Sequence, residues 1–120
     1  MDCIFCKISK KLLGSKTLYE DDKVIAIMDI NPVCDGHVLI IPKEHYETVF
    51  QVPDEVLCHM FNIGKQICKK LMTKLNETGL TFSINYGTKQ EVKHLHLHLM
   101  PDYEKMPTKT YEEIYQILMD

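Results

Sequence analysis

Between positions 54 and 76, Val56, Met60, Ile63, Ile67, Leu71 and Leu75 recur every three or four residues. That spacing lines one side of an α-helix. Leu57, Phe61, Cys68 and Met72 widen the stripe, enough to cover a sheet face. Gly79 follows as a helix stop. The other segments carry shorter apolar runs. Thr17–Glu20 and residues 23–29 (Val24, Ile25, Ile27) read as two strands of a hairpin turning at Asp21-Asp22. Asn31-Pro32 and Asp35-Gly36 punctuate a loop. Residues 37–41 form a β-branched strand that stops at Pro42. Residues 80–86 and 92–100 are two further strands joined by a short polar loop, and Pro101 ends the second. A short helix is expected over residues 4–11, broken at Gly14-Ser15. Thr110 with Glu113 forms a capping box that opens a last helix running through Met119. The order is helix, three strands, long helix, two strands, short helix. Short connections favour antiparallel pairing, so residues 1–120 read as one α+β domain: a five-stranded antiparallel sheet with the long helix on one face.

Composition changes this picture little. A chain of 120 residues with 45% apolar and 26% charged positions suits one globular core. The net charge of −3 argues against a broad nucleic-acid-binding face, while leaving room for one nucleotide in a pocket, held by histidines, backbone N–H groups and helix ends. The apolar run at residues 38–41 is far too short to cross a membrane. The start Met1-Asp2-Cys3-Ile4-Phe5-Cys6-Lys7 lacks the basic-then-apolar pattern of a secretory signal. Five cysteines, an odd number, read as reduced thiols, so a cytoplasmic protein is expected.

The chemistry concentrates in Lys93-His94-Leu95-His96-Leu97-His98-Leu99-Met100. On a strand, alternate residues face opposite sides. Leu95, Leu97 and Leu99 therefore face the long helix, and His94, His96 and His98 form a row on the other side. Such a row has two functional readings. One is a three-histidine metal site. The other is a set of imidazoles acting on phosphate, one as nucleophile and another as donor to the phosphoryl oxygens. Cys3 and Cys6 are spaced to bind one metal ion. No strand precedes them, which disfavours a thioredoxin-like redox motif.

Several separated motifs together resemble the histidine-triad family of nucleotide hydrolases and transferases. Besides the triad itself these are Cys3-Ile4-Phe5-Cys6-Lys7-Ile8; Tyr19-Glu20-Asp21-Asp22 followed by Ala26-Ile27-Met28-Asp29-Ile30-Asn31-Pro32; Gly36-His37-Val38-Leu39-Ile40-Ile41-Pro42-Lys43-Glu44-His45; Asn85-Tyr86-Gly87; and Gln90-Glu91-Val92. The resemblance implies His96 as the nucleophile that forms a nucleotidyl-histidine intermediate, with His98 binding phosphate beside it and His37 orienting it. It implies Asn85 and Gln90 on the phosphate side, Asp29 on the ribose hydroxyls, and Phe5, Ile8, Ile27, Ile30 and Leu39 around a purine base. From the residues alone, Asp29 reads equally as a turn residue and Asn85 as strand-end punctuation. The resemblance also implies a structural zinc on Cys3, Cys6, His45 and His94, which takes His94 out of the chemistry. It further implies a homodimer, joined through the long helix and a sheet edge into ten strands. Two activities follow from it: cleavage at the α-phosphate of nucleoside phosphoramidates, or hydrolysis of dinucleoside polyphosphates. A zinc-stabilised nucleotide-binding module with little turnover is the non-enzymatic alternative. Asp102 stands where many relatives carry a basic residue, and Glu91 where phosphoramidate-cleaving relatives carry a small hydroxyl. Cys58 and Cys68 are assigned to helix packing, and His59 to an exposed or partner-facing side.

Overall fold

A computed structural model describes residues 3–120; Met1 and Asp2, where the leaderless reading of the N-terminus begins, lie outside the described residues. The chain runs α1 (Ile4–Ser9), β1 (Thr17–Glu20), β2 (Val24–Met28), β3 (Val38–Pro42), α2 (Asp54–Leu75), β4 (Leu80–Ser83), β5 (Leu97–Pro101) and α3 (Tyr111–Met119), with one 3-10 turn at Gly87–Lys89. The five strands form one sheet in the order β1-β2-β3-β5-β4, and every pair is antiparallel.

Period-two alternation sorts the central strands onto two faces. Val24, Ala26 and Met28 of β2, Val38 and Ile40 of β3, and Leu97 and Leu99 of β5 pack with α2 and α3 around Met60, Ile63, Leu71, Ile114 and Leu118. Leu95, Leu97 and Leu99 are fully buried there, each contributing about 1.5–3 kcal/mol by leaving water. On the opposite face Ile25, Ile27, Leu39 and Ile41 meet Phe5 and Ile8 of α1. The long helix thus covers one face and the short helix the other.

Two expected boundaries move for a physical reason. The strand foreseen over residues 92–100 forms ladder pairs only from Leu97. The ladder with β3 stops at Ile40 opposite Leu97, although β3 itself continues to Pro42, so the chain before Leu97 has already left the sheet. Residues 92–96 find other partners: Leu95 N–H donates to the Tyr46 carbonyl at 2.7 Å. Both strands end at their prolines as expected, Pro42 as the last residue of β3 opposite Val24 and Pro101 as the last of β5 opposite Leu80. The long helix ends not at Gly79 but at Asn76, in the left-handed region at φ 56°, where a short polar side chain is tolerated. Gly79 serves instead to admit Asp102. A Cβ there would lie 2.7 Å from the Asp102 carboxylate, which accepts from Thr78 N–H at 3.0 Å. Asp102 thereby ties the end of β5 to the turn that follows α2. Among the described residues no helix is long and apolar enough to cross a membrane.

Candidate active site and metal centre

Register brings the histidines together from two strands. His98 on β5 sits between Leu39 on β3 and Ser83 on β4. His37 stands one residue before β3, and its Nε2 lies 2.9 Å from His98 Nδ1. The His96 and His98 rings are 4.8 Å apart between centroids. Burial lowers the basicity of His37, His94, His96 and His98 alike, pushing His94 and His98 down to about 4. All four imidazoles are therefore neutral near pH 7, and each carries one N–H and one lone pair.

The hydrogen-bond partners fix which nitrogen holds the proton. The His96 Nδ1 faces the backbone carbonyl of His94 at 2.8 Å. A carbonyl only accepts, so Nδ1 carries the hydrogen and Nε2 keeps a lone pair. The Val33 N–H donates to His37 Nδ1 at 3.1 Å. His37 must then carry its hydrogen on Nε2 and donate it to His98 Nδ1. By the same logic His98 holds its own hydrogen on Nε2, a buried atom with no partner. The row therefore offers an unengaged nucleophilic nitrogen on His96 beside an orphaned donor on His98.

A second cluster lies against the first. Cys3 Sγ is 3.2 Å and Cys6 Sγ 3.4 Å from His94 Nδ1, and Cys6 Sγ is 3.1 Å from His45 Nδ1. All four donor atoms lie within 4.8 Å of one another. Tetrahedral zinc with its usual bond lengths sets sulfur and nitrogen ligands about 3.5 Å apart. The tautomer fits as well. His94 Nε2–H donates to the Pro42 carbonyl at 2.8 Å, which leaves the Nδ1 lone pair on the thiols. Burial pushes the Cys6 thiol up to about 11, so without a cation the Cys6 sulfur keeps its proton. Asp29, His37 and His98 also bring three donors within 4.8 Å. That set does not suit a metal, because the Val33 N–H leaves a hydrogen on the very His37 nitrogen that would have to ligate.

The remaining expected residues divide. Asp29 lies at the site: its Oδ2 is 3.4 Å from His37 Nε2. It is also a turn residue, since its Oδ1 accepts from Asn31 N–H at 2.8 Å. Phe5, Ile8, Ile27 and Leu39 pack in one cluster, whereas Ile30 is 61% exposed and outside it. Asn85 is half-buried just beyond β4. The Gln90 amide turns inward, its Nε2 donating to the Glu47 carbonyl at 2.6 Å and the Val92 carbonyl at 3.1 Å, so it braces the loop against the segment after β3. Glu91 borders a shallow depression beside the thiols, together with Glu47, Val92 and Lys93. His59 is not a free surface group: its Nε2 donates to Asp21 at 2.7 Å and holds the β1–β2 turn to α2. Cys68 is buried as foreseen, while Cys58 is exposed. The Val33 amide and the carbonyls of Pro42 and His94 escape any reading of side-chain types, because each is a backbone group placed by the fold.

Known proteins of similar structure carry the same family name. A zinc-bound histidine triad family protein from Mycobacterium smegmatis superposes with a TM-score of 0.89 at 31% identity, covering 98% of this chain and 91% of its own. An uncharacterized HIT-like protein of Methanocaldococcus jannaschii is 41% identical over 104 residues, 85% of this chain and 80% of the relative. An adenosine 5′-monophosphoramidase of Saccharomyces cerevisiae is 39% identical over 99 residues, 82% of this chain and 61% of the relative. Residues 11–105 match the HIT domain, most of the chain, and with that match the protein belongs to the HIT domain family.

Proposed function

We propose that the protein hydrolyses nucleoside monophosphate conjugates at the α-phosphate, with His96 as nucleophile. The observation that carries this reading is the pairing of a His96 Nε2 lone pair with the unpartnered His98 Nε2–H. In the first step His96 Nε2 forms a bond to the α-phosphorus, and the bond to the leaving group breaks. The leaving group departs with a proton relayed along the histidine row. His98 donates to a phosphoryl oxygen as charge develops there. In the second step water attacks the phosphorus, the P–N bond breaks, and the nucleoside monophosphate leaves with His96 neutral again. Asp29 binds the ribose hydroxyls, and Phe5, Ile8, Ile27, Ile30 and Leu39 border the purine. Asn85 lies on the phosphate side with Gln90, which steadies its loop. The yeast relative acts on an adenosine phosphoramidate, and that substrate class is the one assigned to this chain.

Zinc on Cys3, Cys6, His45 and His94 completes the proposal. Its role is structural: a closed four-ligand site leaves no open position for substrate. Metal analysis of protein purified without chelator, giving one zinc per chain, tests it. The protein also pairs with a second copy. β4 is a sheet edge, and beside it Cys68, Met72, Leu80 and Phe82 line an apolar groove on α2, next to a Phe61 ring stacked on Phe82. Analytical ultracentrifugation giving twice the chain mass supports this. Free thiols suit the reducing cytoplasm.

The activity is tested by incubating the protein with adenosine 5′-phosphoramidate and with diadenosine polyphosphate, beside His96→Ala, and following AMP release. Release that depends on His96 bears the reading out, and the faster substrate selects the branch. Nucleotide binding without release from either substrate overturns it in favour of a binding module.

A further inference from the structure

The metal cluster and the nucleophile meet through one side chain. Phe5 lies between Cys3 and Cys6 in the chain, and its ring makes edge contacts with both histidines. The centroid separations are 5.9 Å to His94 at 83° and 5.0 Å to His96 at 71°. The two rings are held unequally. His94 is gripped at both nitrogens, by the thiols and by the Pro42 carbonyl. His96 is gripped only at Nδ1, and its acceptor is the backbone of His94 itself. Besides that single bond, the His96 ring contacts the rings of Phe5 and His98. Phe5 in turn depends on α1. A six-residue helix is too short to persist by its own propensity. It stays in place through its apolar contacts and through the thiols at its N-terminal turn.

We propose that Phe5 is a positioning residue for His96, and that ligation of Cys3 and Cys6 acts on catalysis through it. This rests on the hydrolase reading above. Metal at the thiols fixes the first turn of α1, so that the Phe5 ring holds His96 with Nε2 toward the phosphorus. Loss of the metal loosens that turn, and His96 samples other rotations and tautomers. Because Phe5 also borders the purine, KM reports that contact and kcat reports the nucleophile. A misplaced nucleophile lowers kcat, and about 1 Å of displacement is enough to cost about a hundredfold.

The test compares the zinc-loaded wild type, the wild type stripped by a chelator, and Phe5→Leu, which keeps the apolar volume and removes the ring edge. Ring-nitrogen NMR of histidine-labelled protein reads the His96 tautomer without any substrate. The loaded wild type is expected to show a pyrrole-type Nδ1 and a pyridine-type Nε2. In the stripped protein and in Phe5→Leu both signals move toward the averaged values of exchanging tautomers, while circular dichroism retains the long helix. Turnover then falls about tenfold to a hundredfold in kcat, and a rise in KM in Phe5→Leu measures the lost purine contact separately. Unchanged His96 signals in Phe5→Leu overturn the proposal. So does chelation that moves the His45 and His94 signals and leaves those of His96 in place. Absence of turnover in the loaded wild type removes the hydrolase reading, yet the NMR signals still decide whether Phe5 holds the ring.

Discussion

Replacing His98 by alanine separates its part in the chemistry from its part in the fold. Its ring accepts at Nδ1 from His37 over 2.9 Å, and its Nε2–H meets no protein partner. Removing one preorganised donor from a developing oxyanion costs about 10²–10³-fold in kcat, or about 2.7–4 kcal/mol of barrier. Stability responds differently. The His37 Nε2–H loses an acceptor, but Asp29 Oδ2 already lies 3.4 Å away and takes the hydrogen. The buried, unpaired His98 donor disappears too, relieving a desolvation cost of about 1–3 kcal/mol. That relief offsets the packing lost with a half-buried ring, so unfolding free energy shifts by about 1 kcal/mol or less. Steady-state AMP release and urea denaturation of the same preparation measure the two effects. A kcat within about tenfold of wild type refutes the donor role. A stability loss above about 3 kcal/mol shows that the ring holds the fold instead.

Three further outcomes follow from the same geometry. In the proposed mechanism the neutral form of His96 attacks, and burial holds its basicity below the ordinary value. kcat/KM is therefore expected to stay level as pH falls from 8 to about 6.5 and to decline only below it; a decline already complete at pH 7 contradicts the burial argument. Gly36 adopts φ +86°, and a Cβ there would sit 2.8 Å from Leu75 Cδ1 and 3.1 Å from Leu71 Cδ2. Gly36→Ala should lose about 2–4 kcal/mol in thermal or urea unfolding, from left-handed strain plus overpacking, and a loss under about 0.5 kcal/mol counts against that contact. Burial, then a hydrogen bond to Asp102, raises the Glu77 carboxyl to about 7, so stability present below the ordinary carboxyl range is lost as pH rises through about 7. Glu77→Gln cannot ionise and should be the more stable protein at pH 8, with the difference vanishing below pH about 4.5; equal denaturation midpoints at both pH values sink this reading.

Much of this molecule was legible from residue order. Two periodicities, near 3.6 along α2 and near 2 along the strands, specified which residues meet, because each element must bury one face. The alternation from His94 to Leu99 divided chemistry from core, and the leucines are indeed fully buried against the helix layer. The spacing of Cys3 and Cys6 pointed to a metal pair, and the fold brings His45 and His94 to it from distant positions. The resemblance had already singled out those four residues; the geometry that lets them share one ion came only with the fold.

Tertiary structure decided what depends on backbone groups and on ends. Strand β5 starts at Leu97 because its ladder with β3 ends at Ile40 and the Leu95 amide bonds the Tyr46 carbonyl instead, partners supplied by segments far earlier in the chain. Gly79 read as a helix stop and proved to be a space for Asp102, since a missing side chain says nothing of what approaches it. The Val33 amide fixes the proton on His37, and the carbonyls of His94 and Pro42 fix those on His96 and His94. Every residue but proline carries the same N–H and C=O, so a sequence cannot mark which ones will face an imidazole. Side-chain pattern determined which residues form the site; the path of the main chain determined which nitrogen of each histidine is free to act.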